Sequence, residues 1–199
     1  MAAPKQFKLA NFGGEPHELG LFCIATIDWS EPAEGDANGN PLLPESDRKD
    51  AMYVIVRDHG NQNNRDVIKY VGMTTDTDTR FRLHHAWINL RKDNRTKLSV
   101  GTVRYSGKSS LWARRNLEPA LNQIEHILIW TLWPTLVNVR SMYSLPLISG
   151  KNVAAARPWL IRREGHRFRG AMPREIVYPW MGIKPGRDRS ANVKYAQAV

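Results

Sequence analysis

The run LEPALNQIEHILIWTLWP (residues 117–134) constrains this chain more than any other stretch. Apolar residues stand at 117, 120, 121, 124, 127, 128, 129, 130 and 132. At helical periodicity they wrap most of the circumference. Pro119 falls in a first turn, whose N–H groups have no intrahelical acceptor, and Pro134 stops the run. A helix this apolar must be covered by something broad and equally apolar. Between residues 120 and 132, Glu125 and His126 are the only titratable groups. A carboxylate in such surroundings is costly unless it is paired, protonated or bound to a metal. Glu125 therefore either lies on the one exposed stripe, in a salt bridge, or takes part in chemistry.

Strands are the natural cover. AMYVIVRD (51–58) and DVIKYVGM (66–73) are rich in β-formers, and the polar HGNQNN between them predicts a β-hairpin. Thr75 or Asp76 can cap a helix over about 77–92, and LSVGTVRYSG (98–107) reads as a third strand. Upstream, LGLFCIATIDW (19–29) is a strand after an N-terminal arm. A loop rich in Pro, Gly, Asn and acids fills 30–50. Its Asp36, Asn38 and Asn40 alternate like a calcium loop, but Pro41 stands where that loop needs glycine. Beyond residue 150 the pattern breaks into Pro, Gly and Arg, with one short helix expected near 153–163. The sum is a small α/β (α+β) core ordered β-β-α-β-α over 51–145. An N-terminal extension (1–50) and a C-terminal extension (146–199) flank it.

Charge separates the three segments. The chain of 199 residues carries 29 Lys and Arg against 19 Asp and Glu, a net +10. Residues 1–50 hold 4 basic and 9 acidic groups, residues 51–150 hold 14 and 7, and residues 151–199 hold 11 and 3. This imbalance points to a polyanionic partner, because each cation placed on a phosphate releases a condensed counterion. The plainer alternative is a generic basic surface. One cysteine, Cys23, leaves no internal disulfide framework and no cysteine zinc site. The apolar ILIWTLWPTLV (127–137) is interrupted by proline and well short of the roughly 20 residues a membrane helix needs. The expectation is a soluble, cytoplasmic protein.

Several polar residues then need explaining. Arg80, His84 and Arg91 share one stripe of the expected first helix, with Arg80 and His84 one turn apart near its start. That pattern suits a phosphate, or equally a solvated basic face. His85 points elsewhere and reads as structural. Tyr53 and Tyr70 lie on the two hairpin strands, where a tyrosine is ordinarily a core aromatic with a bonded hydroxyl.

Taken in order, these residues resemble the GIY-YIG nuclease family. Tyr70-Val71-Gly72 matches its second half-motif, Arg80 follows at ten residues, and His84 comes four later. Glu125, Pro134 and Asn138 in EHILIWTLWPTLVN are similar to its Glu helix, proline and Asn segment. The first half-motif departs from the pattern: Ala51-Met52-Tyr53 lacks the leading glycine, and Tyr53 and Tyr70 are 17 residues apart. Met73 stands where some members carry a lysine.

The resemblance implies a three-stranded antiparallel sheet flanked by helices. It also implies a metal-dependent DNA endonuclease, restriction-like or encoded by a mobile element. Glu125 would hold one divalent ion, Mg²⁺ or Mn²⁺. Tyr53 or Tyr70 would take the proton of the attacking water, Arg80 would neutralise phosphoryl charge, and His84 would hydrogen-bond a tyrosine or the phosphate. Asn138 would orient the site or hold the backbone. Tyr70, Arg80, His84 and Glu125 are then expected on one concave basic surface. Double-stranded DNA is the expected partner, with RNA an open alternative and no membrane involved. Contacts to nucleic acid are expected from Arg91 and from Arg157, Arg162, Arg163, Arg167 and Arg169 of the arginine-rich RPWLIRREGHRFRG (157–170). The competing reading is a non-catalytic nucleic-acid-binding module on the same scaffold.

Overall fold

The computed structural model of the chain describes residues 22–34, 50–58, 66–76, 95–132, 136–138, 158–178 and 181–183. They form a mixed α+β unit built on one sheet. Its strands are β1 (Cys23–Trp29), β2 (Ala51–Arg57), β3 (Val67–Thr74), β4 (Thr96–Ser106), β5 (Trp159–Gly165), β6 (Glu175–Tyr178) and β7 (Met181–Ile183). Two helices, α1 (Leu111–Arg115) and α2 (Leu117–Leu132), follow β4. The spatial order is β3-β2-β4-β1-β5-β6-β7. Neighbours are antiparallel except β1 and β5, which run parallel.

The sheet is stepped at β4. Thr96–Gly101 pairs with β2 on one side, and Gly101–Ser106 pairs with β1 on the other. Gly101 is where the two halves meet. A Cβ there would lie 2.6 Å from Ile27 Cγ2 and 2.8 Å from Trp29 Cε3, so the crossing needs a residue without a side chain. The expected hairpin is present as β2 and β3. A register shift between Ile55 and Val56 leaves Lys69 as an extra residue in β3, because Ile55 pairs with Tyr70 and Val56 with Ile68.

Alternation along β2 explains its unbroken apolar sequence. Met52, Val54 and Val56 join the main core with α2, while Tyr53 and Ile55 form a second cluster with Leu98 on the opposite face. A strand covered on both faces has no polar side to show. Helix α2 lies across β3 and β2 and buries Leu121, Ile124, Ile127, Leu128, Ile129 and Leu132. At about 2 kcal/mol per buried aliphatic side chain, this contact is a principal stabilising element of the fold. Its start matches the sequence reading: the Asn116 carbonyl accepts from Ala120 N at 3.0 Å, and Pro119 needs no acceptor. Thr131 sits buried near its end with its hydroxyl donated to the Ile127 carbonyl at 2.7 Å.

Two expectations change. The sheet has seven strands rather than three, because β1 and β5–β7 extend the β3-β2-β4 trio. One sheet thus draws strands from all three sequence segments. The short helix expected near 153–163 is replaced over 159–163 by strand β5. Trp159, Leu160 and Ile161 are buried there beside Cys23, Ile24 and Ala25 of β1, and this long-range pairing overrides local preference. The first helix expected over 77–92 lies outside the described residues.

Candidate active site

The hairpin brings two tyrosines into contact. Tyr53 pairs with Gly72 and Tyr70 with Ile55, so both rings rise from the face opposite α2. They stack with centroids 6.0 Å apart and planes inclined by 19°. The Tyr53 ring lies across Gly72. A Cβ on Gly72 would be 2.7 Å from Tyr53 Cε2 and nearer still to Cζ and Oη. Burial distinguishes the pair: Tyr53 is 0 % exposed, whereas Tyr70 is half-buried.

Asn138 closes the outer edge of the same unit. Its Nδ2 donates to the Val71 carbonyl at 2.8 Å, and its Oδ1 accepts from Val71 N at 3.0 Å. Val137 N donates to the Lys69 carbonyl at 2.6 Å. The short segment therefore acts as a partner strand for the edge strand β3, with the Asn138 amide standing in for a peptide group. Asn138 is only 5 % exposed, so these bonds are made out of water.

Glu125 sits on α2, on the far side of the sheet from the tyrosines. One flank of α2 is defined by Gln123, whose Oε1 accepts from Trp159 Nε1 at 2.9 Å, and by Trp130, edge-on to Tyr178 at 6.4 Å. That flank faces β5 and β6. Glu125 lies two residues after Gln123, about 200° round the helix, and so on the opposite flank. It is half-buried. Tyr70 and Glu125 thus belong to opposite faces of the sheet, which corrects the expectation that these two share one concave surface: alternation along the hairpin turns Tyr70 away from the face that α2 covers.

Arg80, His84, Arg91 and Arg157 lie outside the described residues. The remaining arginines divide into two kinds. Arg162 donates from Nε to Glu175 at 3.2 Å, and Arg163 Nη1 donates to the His166 carbonyl at 3.1 Å, so both are committed within the sheet. Arg167 and Arg169 are exposed on the β5–β6 loop. Between them Phe168 is fully buried, edge-on to Trp29 at 5.6 Å and to the His166 ring at 4.8 Å. Phe168 and Arg169 have φ of 45° and 44°, left-handed conformations that cost roughly 1–2 kcal/mol each for residues with a Cβ. His166 Nε2 reaches Asp66 Oδ2 at 3.2 Å and ties this loop to the start of β3. Neither His166, Asp66 nor Arg174 stands out in the sequence, since no local spacing links residues 66 and 166.

Among the described residues no group of three or more His, Cys, Asp or Glu is placed to hold a metal. A single carboxylate is compatible with Mg²⁺, which keeps most of its water and takes one or two protein ligands beside phosphate oxygens. No described helix is long and apolar enough to cross a membrane. No family model, curated protein or solved structure matches the chain.

Proposed function

We propose that the chain is a metal-dependent endonuclease of the GIY-YIG type that hydrolyses phosphodiester bonds in DNA. The observation that carries this reading is the hairpin unit itself. Two tyrosines on adjacent antiparallel strands stack over a glycine, and a distant asparagine brackets the residue between Tyr70 and that glycine. The β3-β2-β4 trio and α2 supply a β-β-β-α frame around it, consistent with the finer fold reading.

Within this reading the two tyrosines take different tasks. Tyr53 is sealed from water and supports the unit through its ring. Tyr70, half-buried at the edge strand, is the residue whose Oη can accept a proton from an attacking water. Asn138 holds β3 in register so that Tyr70 keeps its place. Glu125 would hold one Mg²⁺ or Mn²⁺, whose chemistry is Lewis-acid stabilisation of the leaving oxygen. Arg80 and His84 are assigned to the phosphate from the sequence resemblance alone.

A second reading has its own support. Because Tyr70 and Glu125 belong to opposite faces of the sheet, the scaffold also suits a nucleic-acid-binding module without catalysis. Supercoiled plasmid incubated with Mg²⁺, Mn²⁺ or EDTA separates the two. The nuclease reading expects metal-dependent nicking, lost in Glu125→Ala and reduced about 100-fold or more in Tyr70→Phe. Tyr53→Phe should stay within about tenfold of wild type, because its hydroxyl does no proton transfer. Metal-independent cleavage, or full activity in Glu125→Ala, refutes the mechanism. DNA binding without any cleavage establishes the module.

A further inference from the structure

The β5–β6 loop, HRFRGAMPR (166–174), has no acidic residue and three arginines. Arg167, Arg169 and Arg174 are all exposed. Two nearby sheet arginines are matched by acids: Arg104 bonds Glu164 and lies 3.7 Å from Asp28, and Arg162 bonds Glu175. The guanidinium groups of Arg167 and Arg174 make no ion pair among the described residues. Positive charge is therefore matched at Arg104 and Arg162 on the strands and left open at Arg167 and Arg174 on the loop.

The same loop is held in one shape. Phe168, Met172 and Pro173 are buried, and His166 N donates to the Trp29 carbonyl at 3.0 Å. The His166–Asp66 contact fixes one end and the Ala171 N to Phe168 carbonyl bond, 2.8 Å, closes the turn. Gly165, with φ of 66°, lets the chain leave β5 against Trp29, and a Cβ there would lie 2.7 Å from Asp28 Oδ1 and nearer still to the Trp29 carbonyl. With Phe168 driven into the core, its neighbours Arg167 and Arg169 are turned outward together. An ordered loop that presents Arg167 and Arg174 without acid partners, beside an exposed Arg169, is suited to a regularly spaced polyanion, because little ordering is left to do on binding.

We propose that this loop is a preformed clamp for the phosphate backbone of duplex DNA, with Arg167, Arg169 and Arg174 as its phosphate contacts. The choice of DNA rests on the nuclease reading, while the choice of a duplex does not. Proteins that hold single strands stack bases on exposed aromatic rings. The one aromatic side chain between Arg167 and Arg174, Phe168, is fully buried, so the loop can track a backbone but cannot stack a base. Arg162 and Arg163 are excluded from the contact set by their bonds within the sheet.

The test is fluorescence anisotropy with a labelled short DNA duplex in EDTA, so that binding is read without cleavage. Each lost phosphate contact lowers the slope of log affinity against log salt by about 0.9. The R167A/R169A/R174A variant should therefore show a slope shallower by about 2.7. Between about 50 and 200 mM salt, wild-type affinity then falls about 40-fold more than the variant's. The corresponding triple lysine variant should keep most of the slope, and Arg174→Ala, outside the left-handed turn, should lose about 0.9 alone. An unchanged slope overturns the clamp. So does an equal loss on removing Lys108, Arg114 and Arg115 together, which would show a response to net charge only. A loss confined to single-stranded DNA overturns the duplex assignment, and tighter binding to duplex RNA overturns the choice of DNA. Loop-dependent binding without plasmid cleavage leaves the clamp standing and removes the nuclease reading. Cleavage with unaltered binding in the triple alanine variant does the reverse.

Discussion

Gly72→Ala offers the most direct measure of how the tyrosine unit is built. The added methyl would sit 2.7 Å from Tyr53 Cε2 and closer to Cζ and Oη, well inside van der Waals contact. The Tyr53 ring has little room to yield: it is 0 % exposed and stacked on Tyr70 at 6.0 Å. Overpacking of a closed core costs about 1–3 kcal/mol, and an obstructed aromatic ring places this substitution near about 3 kcal/mol. The clash involves only the far end of the ring. In a Tyr53→Val background the same substitution should be neutral, or stabilising by about 0.5 kcal/mol as the strand loses a flexible glycine. A double-mutant cycle by urea denaturation should therefore give a coupling energy of about 3 kcal/mol between positions 53 and 72. In a chain of this size, Gly72→Ala alone should lower Tm by roughly 6–12 °C. If the two substitutions are additive within about 0.5 kcal/mol, the Tyr53 ring does not lie on Gly72 and the argument for a structural Tyr53 is lost.

Asn138→Ala should destabilise the fold by about 2–4 kcal/mol, since it strips two buried hydrogen bonds from the Val71 backbone and leaves its N–H and carbonyl without replacements. Hydrogen exchange should show faster exchange at the Val71 amide, and unchanged exchange there would refute the bracket. Alkaline titration should find Tyr178 ionising late, because its burial raises its pKa above the ordinary 10.0. Below about pH 10 both folded and unfolded forms are neutral and stability is unaffected. Above it the unfolded tyrosine ionises first, so stability falls as pH rises through the folded pKa. Tyr178→Phe should make that alkaline decline shallower in urea melts, and an identical pH profile would count against the burial argument.

What could be read from the chain, and what could not, follows from the range over which each feature is encoded. Helix α2 was visible because its apolar positions, its early proline and its stopping proline all lie within one contiguous stretch. The β2–β3 hairpin and β4 were visible for the same reason, as was β1 from Cys23 to Trp29. Strand β5 was not, because an arginine-rich run becomes a strand only when Trp159, Leu160 and Ile161 find β1, more than a hundred residues earlier. The stagger at Gly101 and the extension of the sheet to seven strands also depend on such distant pairings.

The site divides along the same line. Local sequence determined that two tyrosines would stand on neighbouring strands, that a glycine would follow the second, and that Glu125 would lie on an apolar helix. Only the tertiary structure decided that Tyr53 is sealed while Tyr70 is not, since their exposure depends on β4 and on a shifted register. It also made Asn138 a backbone partner for Val71 and set the helix that carries Glu125 on the face of the sheet opposite Tyr70. Among the arginines the chain supplied only their density. Folding sorted them, because a charge on a strand meets the acids of its neighbours, whereas a charge on a loop pinned by a buried phenylalanine is left facing the solvent.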